Sequence, residues 1–267
     1  MTTPGIVGPT TDDRTLLEML ELETIDTNVF RANFVFPDHY ALYGGQVAAQ
    51  ALRAAGLTAE GRLPHSLHGY FLRPGDASRP MLLKVYRDRD GRSFSARRVV
   101  ALQEGEVIFN MSASFSTPGD GDDRQIAQLP DVSAPDENRV YTIPRLFSFE
   151  GRKAEQALPG LEYPIRFWAR CTAPLGTDPL LNACALTYLS DISSGTAAFN
   201  TPTHATSSSL DHAMWFHRPI IANDWLLVDL VPHTLAAGRG WYTGSIFHSD
   251  GSLVASLTQE ALFRRRH

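Results

Sequence analysis

The chain has 267 residues, of which 43% are hydrophobic and 20% are charged, and its formal net charge is −5 at pH 7. These values are ordinary for a globular protein of one large or two medium domains, and the negative charge gives no electrostatic basis for binding nucleic acid or an anionic membrane. No apolar run reaches the roughly 18 residues of a membrane-spanning helix. The 2 cysteines support neither a metal cluster nor a disulfide framework, so we expect no metal and no cofactor.

The first half of the chain, residues 14–116, predicts a unit of strands around one apolar helix. Residues 1–13 are predicted to be a disordered N-terminus, and they lack the basic and then apolar order of a signal peptide, so a cytoplasmic protein is expected. The segment 47–57 has no charge before Arg53, and a helix without a broad polar face is buried. The predicted elements are a helix over 14–22, a strand over 27–36, this buried helix, and strands over 66–72, 81–88, 93–104 and 107–115.

The second half predicts a second unit of the same design. Residues 117–144, rich in proline, glycine and acidic residues, are predicted to be a linker, and residues 145–267 form the second unit. Asp178 followed by Pro179 is typical of a helix start, and the ten residues after this pair carry no charge. The other predicted elements are a strand over 163–170, a long loop to 208, and strands over 209–217, 225–233, 240–248 and 253–263.

Two similar motifs indicate that the halves are diverged copies of one unit. The segments YFLRP (70–74) and WFHRP (215–219) share an aromatic-Phe-x-Arg-Pro pattern and lie 145 residues apart. Downstream, the predicted hairpins at Glu104-Gly105 and Asp250-Gly251 keep nearly the same spacing of 146 residues. An antiparallel sheet wrapped around a long central helix is the hotdog pattern. The predicted fold class is therefore α+β, a double hotdog of two tandem units.

The motifs of the chain resemble those of the acyl-CoA thioesterase II family, the TesB-type double-hotdog enzymes. The resemblance spans residues from about 14 to 264 and rests on five motifs in the family's order: LYGGQV (42–47), YFLRPGD (70–76), DGRSFSARRV (90–99), DHAMWFHRP (211–219), and DGSLVAS (250–256) with Gln259-Glu260. It implies hydrolysis of the thioester of a fatty acyl-CoA, of medium to long chain, to a free fatty acid and coenzyme A. It also implies self-association into oligomers.

The catalytic set of the family falls on three polar residues of the second unit. They are Asp191 just after the second helix, Ser209 at the start of the strand that enters the Asp-His motif, and Gln259 on the last strand. The resemblance implies that Asp191 is the general base that takes a proton from water, and that Ser209 and Gln259 hydrogen-bond this water near the thioester carbonyl. The hydroxyl position is commonly Thr in the family and is Ser in this chain.

The repeat supports this catalytic set independently. The first-unit positions that match the three polar residues are Leu57, Pro64 and Ala113. Equivalent core positions of a duplicated fold would both be apolar if only packing mattered. The difference between the copies is the pattern expected of one active and one inactive site.

Substrate-binding residues are expected at two further places. The backbone N–H groups of Gly45 and Gln46, at the start of the first-unit helix, are predicted to stabilise the oxyanion that forms during acyl transfer. Arg97, Arg98 and the terminal residues 264–266 are candidates for contacts with the phosphates of coenzyme A, with a solvated face as the alternative.

Two rival functions stay open at this level. A hydratase or dehydratase of acyl thioesters would need an Asp and a His paired in one loop, for which Asp38-His39 is the nearest candidate. A non-catalytic acyl-CoA-binding protein is the other. The pair Asp211-His212 and the nearby His217 are interpreted as structural neighbours of the site rather than as catalytic or metal-binding residues, since the histidine spacing matches no zinc signature.

Overall fold

The computed structural model describes residues 14–34, 41–119 and 121–265. Its elements in chain order are the helix α1 (Leu16–Met19), the strands β1 (Glu23–Asp26) and β2 (Val29–Ala32), the helix α2 (Gly44–Leu57), the strands β3 (Leu63–Phe71), β4 (Met81–Asp90), β5 (Phe94–Gln103), β6 (Glu106–Ser116), β7 (Phe149–Lys153) and β8 (Arg166–Cys171), the helix α3 (Pro179–Ser190), a 3-10 helix (Ser193–Phe199), and the strands β9 (His204–Ser209), β10 (Asp211–Phe216), β11 (Leu226–Ala236), β12 (Arg239–His248) and β13 (Leu253–Arg265). The predictions for residues 1–13, for Asp38-His39 and for Arg266 lie outside the described residues.

The strands of both units join in one sheet. Among the described residues the sheet has 13 strands in the order β1-β2-β4-β5-β6-β3-β10-β13-β12-β11-β8-β7, with β9 paired to β13 outside this path. The units meet where β3 pairs antiparallel with β10, His68 lying opposite Ala213. In the first unit α2 packs against β3 to β6, and the apolar residues of α3 are buried in the same core. The predicted double hotdog is confirmed.

The two long helices lie antiparallel at the centre of the molecule. A Cβ on Gly45, near the start of α2, would meet the carbonyl oxygen of Tyr188, near the end of α3, and a Cβ on Gly56 would meet the side chain of Leu180 at the opposite ends. The Tyr43 hydroxyl donates to the same Tyr188 carbonyl at 3.0 Å. This packing places the C-terminal end of α3 beside the N-terminal end of α2. No helix of the described residues is long and apolar enough to cross a membrane.

The predicted linker forms a strap on the outer face of the second unit. Its described residues contain no helix or strand, but Leu129 and Val132 pack on a small apolar cluster that includes Trp168 and Leu227 and is separate from the main core. The Trp168 indole donates to the carbonyl of Ser133 at 3.0 Å. The strap therefore covers apolar side chains that this face of the sheet would otherwise expose.

Some elements differ from their predicted bounds for local reasons. The first helix ends at Met19, and the hairpin of β1 and β2 follows it from Glu23, with Asn28 in its turn at φ 59. The strand β7 has no predicted counterpart, since its sequence FEGRK has three charged residues and a glycine and therefore low strand propensity. The predicted loop up to residue 208 instead contains the 3-10 helix and β9.

Candidate active site

The three polar residues singled out in the second unit lie together. Asp191 directly follows α3, Ser209 ends β9 and Gln259 lies within β13. Ser209 Oγ donates to Asp191 Oδ1 at 2.8 Å, and the Gln259 amide donates to the same oxygen at 2.8 Å and to Ser209 Oγ at 2.5 Å. These contacts use the hydroxyl proton and both amide protons. The two side chains therefore hold the carboxylate itself, whereas the sequence predicted that they would hold a water.

Strand pairing explains how the hydroxyl and the amide reach the carboxylate. Side chains alternate along β13, and Leu257, Gln259 and Ala261 are the buried ones in this part of the strand. The strand β9 pairs with β13 so that Ser209 lies opposite Ala261. A hydroxyl and an amide that are 50 residues apart in sequence thus become neighbours on one face of the sheet.

Asp191 is a buried carboxylate between two helix ends. It is only 4% exposed, and burial raises the pKa of its carboxyl above the usual range, against the lowering influence of His212 and of two hydrogen bonds. Its own helix opposes a negative charge at this end, whereas the N-terminal end of α2 favours one. A Cβ on Gly44, the first residue of α2, would lie under 3.0 Å from Asp191 Oδ2 and 2.7 Å from Cε1 of Phe71. Glycine therefore lets a helix of one unit contact the carboxylate of the other.

His212 and Ser190 complete the hydrogen-bond network, and the sequence did not assign either to the site. His212 is fully buried. Its Nδ1 lies 2.7 Å from Gln259 Oε1 and its Nε2 lies 2.8 Å from Ser190 Oγ. Burial lowers the pKa of His212, which favours the neutral ring at neutral pH. Successive side chains of β10 point to opposite faces of the sheet, and this alternation is the signal that could have placed His212 at the site and Asp211 away from it. The Asp211 carboxylate lies on the other face, near His68.

The predicted oxyanion donors lie at the end of α2 that contacts Asp191. The N–H of Gln46 already donates to the Tyr43 carbonyl at 3.1 Å, and the Gln46 side chain is buried. Gly45 follows the contact glycine Gly44 directly, and its Cα packs on the end of α3. Of the two predicted backbone donors, Gly45 is the one that we retain.

Arg97 does not lie at the surface, so the expectation that it contacts coenzyme A is wrong. It is 1% exposed and donates to both the hydroxyl and the carbonyl of Thr58 at 2.8 Å, and to Asp90 Oδ1 at 2.6 Å. It thereby binds the C-terminal end of α2, where helix carbonyls lack partners. Strand alternation turns Arg98 the other way, onto the ring of Tyr86 on the outer face. The structure does not bring this second arginine to the three polar residues.

Arg97 has a counterpart in the second unit. It lies opposite Ala113 in the pairing of β5 with β6, and Tyr242 lies opposite Gln259 in the pairing of β12 with β13. Tyr242 is fully buried, and its hydroxyl donates to the carbonyl of Ile192 at 3.0 Å. Both units therefore use a buried polar side chain to hold a residue beyond the end of their helix, Thr58 directly after α2 and Ile192 two residues after the last residue of α3. Only in the second unit does a carboxylate precede that residue.

Arg145 places a positive charge near the site, and the sequence did not predict this charge. Its guanidinium lies over the ring of Tyr43, 5.2 Å from the centroid. The backbone at Arg145 has φ 65, which is uncommon for a residue other than glycine. Its charge is one of the influences that oppose the burial-driven rise in the pKa of Asp191. Among the described residues, no group of His, Cys, Asp and Glu side chains could hold a metal.

Known proteins match this chain over nearly its whole length. The family model for the acyl-CoA thioesterase N-terminal domain matches residues 36–116, and the model for the acyl-CoA thioesterase C-terminal domain matches residues 124–263. A protein of Haemophilus influenzae named acyl-CoA thioesterase 2 is 32% identical over 93% of this chain and 96% of its own length. The crystal structure of acyl-CoA thioesterase II TesB2 from Mycobacterium marinum is 39% identical, covers 94% of this chain and 97% of that chain, and has a TM-score of 0.79. The tesB protein of Mycobacterium avium subs paratuberculosis is 32% identical, covers 92% of this chain and 97% of that chain, and has a TM-score of 0.81.

Proposed function

The chain belongs to the acyl-CoA thioesterase II family of TesB-type hydrolases, and we propose that it hydrolyses fatty acyl-CoA with Asp191 as the general base. The observation that supports this most is the meeting of Asp191 with a hydroxyl and an amide in one unit only. The equivalent positions of the first unit are the apolar residues Leu57, Pro64 and Ala113. At the core position shared by Gln259 (0% exposed) and Ala113 (4% exposed), packing alone would favour an apolar side chain in both units, because a buried polar group costs free energy unless it is hydrogen-bonded. Leu57 is 41% exposed whereas Asp191 is buried, so at this third position the units differ in burial as well as in polarity.

We assign the proton acceptor to Asp191 Oδ2. The other carboxylate oxygen, Oδ1, already accepts two hydrogen bonds, from Ser209 and Gln259, whereas Oδ2 lies toward the start of α2. A buried carboxylate whose pKa is raised is a better base at neutral pH than a solvated one. Ser209 and Gln259 act by fixing the orientation of the carboxylate, so that a water at Oδ2 is held in line with the thioester carbonyl.

The proposed reaction has two steps. In the first, the water oxygen forms a bond to the carbonyl carbon while Oδ2 takes a proton, and the carbonyl oxygen becomes an oxyanion that accepts a hydrogen bond from the Gly45 N–H. In the second, the oxyanion collapses and the carbon–sulfur bond breaks. The departing thiolate takes the proton from Asp191, so the products are a free fatty acid and coenzyme A, and the base is ionised again.

The proposal extends to the acyl chain and to the setting of the enzyme. A fatty acyl chain of medium to long length is proposed from the family resemblance alone, and turnover of a series from acetyl-CoA to palmitoyl-CoA tests this preference. Self-association is proposed by analogy with the family alone, and a strict monomer in sedimentation at micromolar concentration would contradict it. Cys171 and Cys184 are buried free thiols, which suits the cytoplasmic location we propose.

Release of coenzyme A thiol from acyl-CoA, followed with a thiol reagent, tests the reaction directly. Hydration, dehydration and simple binding release no thiol, so the assay separates hydrolysis from both rival functions. Asp191→Asn should lower kcat by about 100-fold or more, the scale of general-base catalysis. The matched control is Asp178→Asn at the other end of α3, where Asp178 caps the helix and asparagine caps about as well. A folded Asp191→Asn protein with near-normal kcat would sink the assignment of the base.

A further inference from the structure

We propose that His212 is the positioning residue that determines which end of the Gln259 amide faces Asp191, an inference that rests on the function proposed above. A glutamine amide has two ends of nearly equal size, one that accepts and one that donates hydrogen bonds. In the observed orientation the NH2 group donates to Asp191 and to Ser209. In the reversed orientation the amide oxygen would face the carboxylate and repel it, and Asp191 would lose one of the two donors that hold it.

The proton on the His212 ring follows from this orientation. Because the Gln259 NH2 group faces the carboxylate, its Oε1 faces His212 Nδ1 at 2.7 Å, and one of these two atoms must supply a proton. An amide oxygen cannot donate, so the ring proton lies on Nδ1. In a neutral ring Nε2 is then an acceptor, and it takes the hydroxyl proton of Ser190 across 2.8 Å.

The alternative arrangement of protons conflicts with the geometry. Ser190 Oγ also lies 2.9 Å from the Thr187 carbonyl, but a hydroxyl has a single proton. If Ser190 gave this proton to Thr187, Nε2 would have to carry the ring proton. In a neutral ring the bare Nδ1 would then face Gln259 Oε1, and two acceptors would meet at 2.7 Å. The tautomer of His212 and the orientation of Gln259 are therefore linked. Both side chains are 0% exposed, so water offers neither of them an easy substitute partner.

Substitutions that move or remove the donor at Nδ1 test the proposal. Asparagine at 212 places an amide donor near the position of Nδ1, whereas glutamine places it near Nε2 and leucine has none. His212→Asn should keep kcat within about threefold, and His212→Gln and His212→Leu should each lose about tenfold or more at nearly constant KM, since a misplaced group next to the reacting atoms affects the chemical step. His217→Asn is the matched control, because His217 directly follows β10, which contains His212, and its ring forms a hydrogen bond with Ser256 at the surface.

A double-mutant cycle separates positioning from a structural role. In the Gln259→Ala background there is no amide to orient, so adding His212→Leu should lower kcat no further. An equal loss in both backgrounds would overturn the proposal. If Asp191→Asn alone left kcat unchanged, the proposed function would fail, whereas an unchanged kcat in Gln259→Ala alone would overturn the positioning role, which distinguishes the two failures. Long-range 1H–15N NMR of the unsubstituted enzyme needs no variant to fold. It should show a protonated Nδ1 and a bare Nε2 at His212, and a proton on Nε2 would equally overturn the proposal.

Discussion

Replacing Gly44 with alanine tests whether the start of α2 is part of the active site. The added Cβ would lie 2.7 and 2.9 Å from two carbons of the Phe71 ring and closer still to Asp191 Oδ2, whereas ordinary contacts begin at 3.4 Å. The helix backbone is held against α3, so the carboxylate oxygen has to retreat by roughly 1 Å, and a displacement of this size at a reacting group costs about 100-fold in rate. That loss corresponds to about 2.7 kcal/mol of activation free energy.

Steady-state thioesterase kinetics with parallel thermal unfolding measure this effect. The kcat of Gly44→Ala should approach that of Asp191→Asn, while the melting temperature changes little, because alanine favours the helix over glycine by about 1 kcal/mol and offsets part of the crowding. Gly56→Ala is the matched control at the other end of α2, where the Cβ would crowd only the side chain of Leu180. It should alter stability and leave kcat unchanged. A Gly44→Ala enzyme with the kcat of the unsubstituted protein would refute the placement of the base at Oδ2.

Three further predictions concern stability and assembly. Because burial raises the pKa of Asp191 above its ordinary 3.8, the folded state binds the proton more tightly than the unfolded state, and stability falls as pH rises through the folded pKa. Asp191→Asn should therefore resist urea better than the unsubstituted protein at pH 7, and this advantage should vanish below about pH 4. Arg97→Leu should lose about 2 kcal/mol of unfolding free energy in urea titrations, because Thr58 loses its donors, while KM stays constant, and a raised KM would restore a role in substrate binding. Cleavage at a protease site inserted near Gly121 should leave an active noncovalent pair in gel filtration, since β3–β10 pairing joins the units; each unit expressed alone should be insoluble, and a soluble, monodisperse second unit would contradict this.

The sequence predicts best those features that occur in both copies of the repeat. A motif that recurs after 145 residues identifies equivalent strands, and equivalence in turn exposes positions where only one copy is polar. The convergence of Ser209 and Gln259 on Asp191 is the structural counterpart of that asymmetry. Strand alternation and the uncharged helices also predict the core faces, because both periods are set by backbone geometry.

The features that sequence did not predict depend on long-range pairing. The junction of β3 with β10 joins segments that are more than 140 residues apart, and no local period encodes which edges meet. The strand β9 pairs at the rim of the sheet and has the polar sequence HATSSS. A sequence of this kind resembles that of a loop. Arg97 is buried although a charged residue is normally exposed, because the end of a helix supplies acceptors for its guanidinium.

Arg97 also bears on whether the first unit could be converted into a second active site. A carboxylate introduced at Leu57, the counterpart of Asp191, would stand next in sequence to Thr58, which the Arg97 guanidinium holds, and at a position that is 41% exposed. Solvent exposure and a nearby positive charge both keep the pKa of a carboxyl low, which weakens it as a base. We therefore expect that transplanting the three proposed catalytic residues into the first unit would not give a second catalyst. Arg97→Tyr, which copies the uncharged anchor Tyr242, would have to come first. A comparison of the three polar positions alone would not reveal this effect of a fourth residue, Arg97.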